Sequence, residues 1–127
     1  SDPSWRIRSR NPIAPPQYLG DESRVVNSII VSGCDIEGTV ENSILSHDVT
    51  IGKGAVVRNS VIYAGVTIGE NSTVDHAIID ENVRVGKGVK VGAKQASDDK
   101  KITVLGRDIA VSDNKTIEIG TIIDENV

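Results

Sequence analysis

The sequence predicts a parallel β-helix, a solenoid of stacked triangular coils, on three observations. A layout of aliphatic, polar and small residues recurs every seventeen residues through the middle of the chain. The 127 residues include no Phe or Met, one Trp and two Tyr, so the interior has to be built from Val, Ile, Leu and Ala, and β-branched residues suit a pleated stack better than a helix. Gly and Asn return where each coil would turn, and they interrupt any i, i+3, i+4, i+7 stripe that would mark an amphipathic helix.

The elements follow in order. Residues 1–24 hold Pro3, Pro12, Pro15 and Pro16; proline lacks the N–H that a helix interior or central strand needs, so this stretch is expected to be an extended linker. The missing initiator Met reads the same way, as a piece of a longer protein whose preceding domain lies upstream of Asp2. The β-helix is expected over residues 25–127. Val26-Asn27-Ser28-Ile29 opens it, and a shorter coil runs from Ile30 to Ile44. Three copies of the repeat then begin at Leu45, Ile62 and Ile79. Stacking them places Leu45 over Ile62 over Ile79, Ile51 over Ile68 over Val85, and Val57 over Val74 over Val91. No coil can bury its apolar side alone, but neighbours bury one another's. Residues 93–101 are polar and charged and are expected to protrude as a loop. The pattern resumes at Leu105 and continues to Ile117, which makes roughly five coils. Positive φ is expected at the corners, at Gly52, Gly54, Gly65, Gly69, Gly86 and Gly88 and at Asn59, Asn71 and Asn82.

Composition excludes several functions. A net charge of −4 argues against nucleic acid, whose binding draws on many Lys and Arg contacts. No run approaches the roughly 20 apolar residues of a membrane span. The single cysteine, Cys34, can form no internal disulfide and falls where the repeat wants a small or apolar residue, which fits a core role and a reduced, cytoplasmic setting. A zinc site of the kind found in hydrolases or carbonic anhydrases needs three clustered ligands. The chain has only His47 and His76, 29 residues apart and so on different faces of the triangle. An acyltransferase needs one histidine as general base between neighbouring subunits, and either could serve, so that class stays open as the alternative. Gly52-Lys53-Gly54 and Gly86-Lys87-Gly88 lack the spacing and the following helix of a phosphate loop and read as corner turns.

The repeat of aliphatic, Gly, two polar and a small residue resembles the hexapeptide repeat of left-handed β-helix proteins, and the left hand is expected from that resemblance, since ordinary parallel crossovers are right-handed. The stretch Trp5-Arg6-Ile7-Arg8-Ser9-Arg10-Asn11-Pro12-Ile13-Ala14-Pro15-Pro16-Gln17-Tyr18 resembles the segment that joins the nucleotidyltransferase domain to the β-helix in bacterial ADP-glucose pyrophosphorylases (glucose-1-phosphate adenylyltransferases). Gly33-Cys34 and Gly38-Thr39-Val40-Glu41-Asn42-Ser43 resemble that family's first coil. The resemblance implies a C-terminal regulatory and oligomerising domain of an enzyme that makes ADP-glucose and pyrophosphate from ATP and glucose 1-phosphate for glycogen synthesis. It implies no catalytic residue and no cofactor or metal site in this chain, because the ATP- and Mg-binding residues belong to the preceding domain. It also implies a homo-oligomer, a tetramer in the full-length family, and phosphorylated metabolites as effectors. A non-catalytic, pyrophosphorylase-like regulatory subunit is the other reading within the family.

Phosphate-bearing effectors call for cations. Relatives carry basic residues just before the Ile-Asp that starts a coil and again near the terminal strand. Arg107 matches the second place, whereas Asp75-His76 occupies the first, and the acid there weighs against activation by a sugar bisphosphate or phosphoglycerate. Arg6, Arg8 and Arg10 alternate onto one side of an extended segment. Arg6, Arg8, Arg10, His76 and Arg107 are therefore the effector candidates.

Overall fold

A computed structural model describes residues 18–20, 23–93 and 101–127. Within them the backbone forms eighteen short strands and no helix. Numbered along the chain, β1 (Tyr18–Leu19), β4 (Asp35–Ile36), β7 (Thr50–Ile51), β10 (Thr67–Ile68), β13 (Arg84–Val85) and β16 (Ala110–Val111) form the first sheet. The second contains β2 (Arg24–Val26), β5 (Thr39–Glu41), β8 (Val56–Arg58), β11 (Thr73–Asp75), β14 (Lys90–Ala93) and β17 (Thr116–Glu118). The third contains β3 (Ile29–Ile30), β6 (Ile44–Leu45), β9 (Val61–Ile62), β12 (Ala77–Ile79), β15 (Thr103–Leu105) and β18 (Ile122–Ile123). Each strand pairs in parallel with the strand three places on, so the chain visits the three sheets in turn and climbs by one strand per turn. The molecule is a left-handed parallel β-helix of hexapeptide repeats, about five turns tall.

The register is the one the repeat dictates. Leu45 pairs with Ile62 and Ile62 with Ile79; Ile51, Ile68 and Val85 are aligned, as are Val57, Val74 and Val91. All nine are buried. The earlier coil is shorter, with Arg24 opposite Thr39 and Ile29 opposite Ile44. Later, Arg84 lies opposite Ala110, nine residues more than one repeat, so the expected insertion falls between β14 and β15; residues 94–100 of it lie outside the described residues. The solenoid also begins earlier than expected. Tyr18–Leu19 already pair with Asp35–Ile36, because the last proline is Pro16 and the following residues have N–H groups to donate.

Two devices close the corners. Gly54, Gly65 and Gly88 have φ of 75°, 74° and 65°, and each lies beneath an Asn of the next coil whose side-chain oxygen occupies the place a Cβ would take. Asn59, Asn71 and Asn82 also have positive φ. Gly52, Gly69 and Gly86 do not, which corrects the expectation for those three. They are glycine because of close approach between coils: a Cβ on Gly69 would meet the carbonyl oxygen of Gly86 at 2.4 Å.

A second device is polar and runs inside the corner between the second and third sheets. Ser43 N–H donates to Ser28 Oγ at 3.0 Å, Ser60 N–H to Ser43 Oγ at 3.1 Å, and Ala77 N–H to Ser60 Oγ at 3.1 Å. Each hydroxyl donates in turn to the carbonyl two residues back, at Val26, Glu41 and Arg58. The ladder satisfies backbone groups that the turn removes from sheet pairing, as buried polar groups require.

Candidate functional site

His76 stands on the corner between the second and third sheets. That corner carries Asn27, Asn42 and Asn59 in the preceding coils, and all four have φ near +50°. Asparagine tolerates this conformation because its short side chain bonds locally; histidine is the substitute at the last of the four levels. Its Nδ1 lies 2.6 Å from Asp75 Oδ1, with the imidazole 27% and the carboxylate 16% exposed. The approach is too oblique for a hydrogen bond, so the buried Nδ1 has no aligned partner. Asp75 also accepts from Asn59 Nδ2 at 3.2 Å and faces Arg58 at 3.9 Å, and Arg58 faces Glu41 at 3.7 Å. His76 thus shares its corner with two carboxylates, Asp75 and Glu41, that already face Arg58, a poor place for a phosphate.

Arg107 stands on the corner between the third and first sheets. Its Nε is 3.9 Å from Asp80 and its side chain is 67% exposed. An exposed pair at that distance contributes about 0–1 kcal/mol and leaves the guanidinium available to a ligand. His76 and Arg107 therefore lie on opposite edges of the third sheet, and the fold does not bring them together. Arg6, Arg8 and Arg10 lie outside the described residues.

Other candidates resolve simply. Cys34 is buried and stacks with Val49 and Val66, and its Sγ donates to the carbonyls of Val31 and Ser46 at 3.2 and 3.1 Å. Burial pushes its pKa above the usual thiol value, which disfavours the nucleophilic thiolate. His47 is exposed, with Nδ1 3.3 Å from Ser32 Oγ. Among the described residues no group of three His, Cys, Asp or Glu converges to hold a metal ion. An open depression of about 330 Å³ lies at the C-terminal end of the bore, lined by Lys115, Ile117, Glu118, Thr121, Ile123 and Val127.

Residues 16–112 match the hexapeptide family described as GlmU-like, C-terminal hexapeptide. The chain belongs to that GlmU-like C-terminal hexapeptide family. Among curated relatives it is similar to a glucose-1-phosphate adenylyltransferase of Thermosipho africanus, 48% identical over 99% of this chain and 34% of the relative. It is also similar to the enzyme of the same name from Clostridium perfringens strain 13, 42% identical over 92% of this chain and 29% of the relative. A Geobacillus stearothermophilus glucose-1-phosphate adenylyltransferase is 57% identical over 56 residues, 44% of this chain and 14% of the relative. The chain thus spans about a third or less of the length of these relatives. The serine ladder was not expected from the sequence, although the repeated Asn-Ser pairs at 27–28, 42–43 and 59–60 signal it. The Asp75-His76 adjacency was plain in the sequence, and the structure adds their 2.6 Å contact.

Proposed function

We propose that this solenoid is the C-terminal regulatory and assembly domain of a glucose-1-phosphate adenylyltransferase, and is itself non-catalytic. In that reading the full-length protein makes ADP-glucose and pyrophosphate from ATP and glucose 1-phosphate, in the cytoplasm, for glycogen synthesis. The observation that carries it is the similarity to the Thermosipho africanus enzyme along 99% of this chain. The site geometry is in keeping with it. The two Gly-Lys-Gly segments form corner turns, His76 Nδ1 has no aligned hydrogen-bond partner, and His47 pairs only with Ser32 Oγ on the exposed surface. ATP and Mg are assigned to a nucleotidyltransferase domain upstream, as the resemblance to the glucose-1-phosphate adenylyltransferases implies.

Of the effector candidates among the described residues, Arg107 is the one carried forward. It is exposed and only loosely paired, whereas His76 adjoins Asp75. A phosphorylated metabolite would be held by Arg107 together with cations of the upstream domain or of Arg6, Arg8 and Arg10. The reading is tested by expressing the full-length gene product and following ADP-glucose formation from ATP and glucose 1-phosphate, with and without phosphorylated metabolites. Synthesis by the full-length protein and none by residues 1–127 is the expected result. A full-length protein that folds and makes no ADP-glucose overturns it.

A further inference from the structure

We draw no further inference here: the strongest candidate, the outward aliphatic face of the third sheet formed by Ile29, Ile44, Val61, Ile78, Val104 and Ile122, is an unpartnered apolar face, and nothing in the structure shows what covers it.

Discussion

Replacing Ser60 with Ala removes the last and most deeply stacked rung of the serine ladder, and its cost can be worked from two hydrogen bonds and the burial of the hydroxyl. The hydroxyl donates to Arg58 O at 2.6 Å and accepts from Ala77 N–H at 3.1 Å, and Ser60 is 3% exposed. Both bonds vanish; the Ala77 N–H is left buried without a partner, whereas the Arg58 carbonyl keeps its bond from His76 N–H. Each lost bond costs about 0.5–1.5 kcal/mol, and an orphaned buried N–H raises that toward about 1–3 kcal/mol. The sum is about 2–4 kcal/mol, a sizeable part of the roughly 5–15 kcal/mol that holds a domain folded. Ser28→Ala at the top of the ladder is the internal control. Its hydroxyl makes the same two kinds of bond, to Val26 O and from Ser43 N–H, but it lies near the exposed first coil, where water replaces the lost partner. It should cost about 1 kcal/mol or less. Urea unfolding followed by far-ultraviolet circular dichroism measures both, and amide exchange at Ala77 should accelerate selectively in Ser60→Ala. Equal costs for the two variants, or under about 0.5 kcal/mol for Ser60→Ala, would refute the view that the hydroxyls stand in for sheet hydrogen bonds.

Gly69→Ala places a methyl against the Gly86 carbonyl, a backbone group that cannot step aside, and should lower the melting temperature; Gly54→Ala, at a φ of 75° and against the side-chain oxygen of Asn71, should lower it by a different route, through backbone strain. His76→Asn restores the asparagine of its corner and relieves a residue ill-suited to positive φ; thermal melting should show a gain of about 0.5–1 kcal/mol. Arg107→Ala should change stability by less than about 0.5 kcal/mol, so any loss of effector response in the full-length protein reads as lost binding. Burial raises the Cys34 pKa above its ordinary 9.0, so the protonated thiol stabilises the fold at lower pH and that contribution is lost as pH rises past 9.0. Cys34→Ala should flatten this alkaline decline in melting temperature, and native Cys34 should resist thiol reagents.

Much of the fold was legible because the interior repeats. Leu45, Ile62 and Ile79 announce their stacking by spacing alone, and no other architecture buries them all with strands of two or three residues. The glycines were read less well. Gly54 and Gly69 look alike in the sequence, but one is required by its own φ and the other by the coil above it, and the second cause exists only once coils are stacked. The first strand, Tyr18–Leu19, was hidden by the prolines just before it. The site was the least legible part. His76 and Arg107 satisfy the same rule for a cationic candidate, yet a whole sheet separates them, and Asp75 beside His76 changes its chemical character. The outward aliphatic residues of the third sheet, Ile29, Ile44, Val61, Ile78, Val104 and Ile122, were present in the sequence as the first of each aliphatic pair, masked by the inward residue that follows.

The most direct test of the account is a chimera in which this chain replaces the aligned C-terminal region of the Thermosipho africanus glucose-1-phosphate adenylyltransferase. Assembly of the purified chimera and its ADP-glucose synthesis would be measured beside the parent enzyme. The account predicts a chimera that assembles to the parental size and makes ADP-glucose at a rate within roughly tenfold of the parent, a barrier change of about 1.4 kcal/mol. A chimera whose two halves fold but which stays monomeric or makes no ADP-glucose would contradict it.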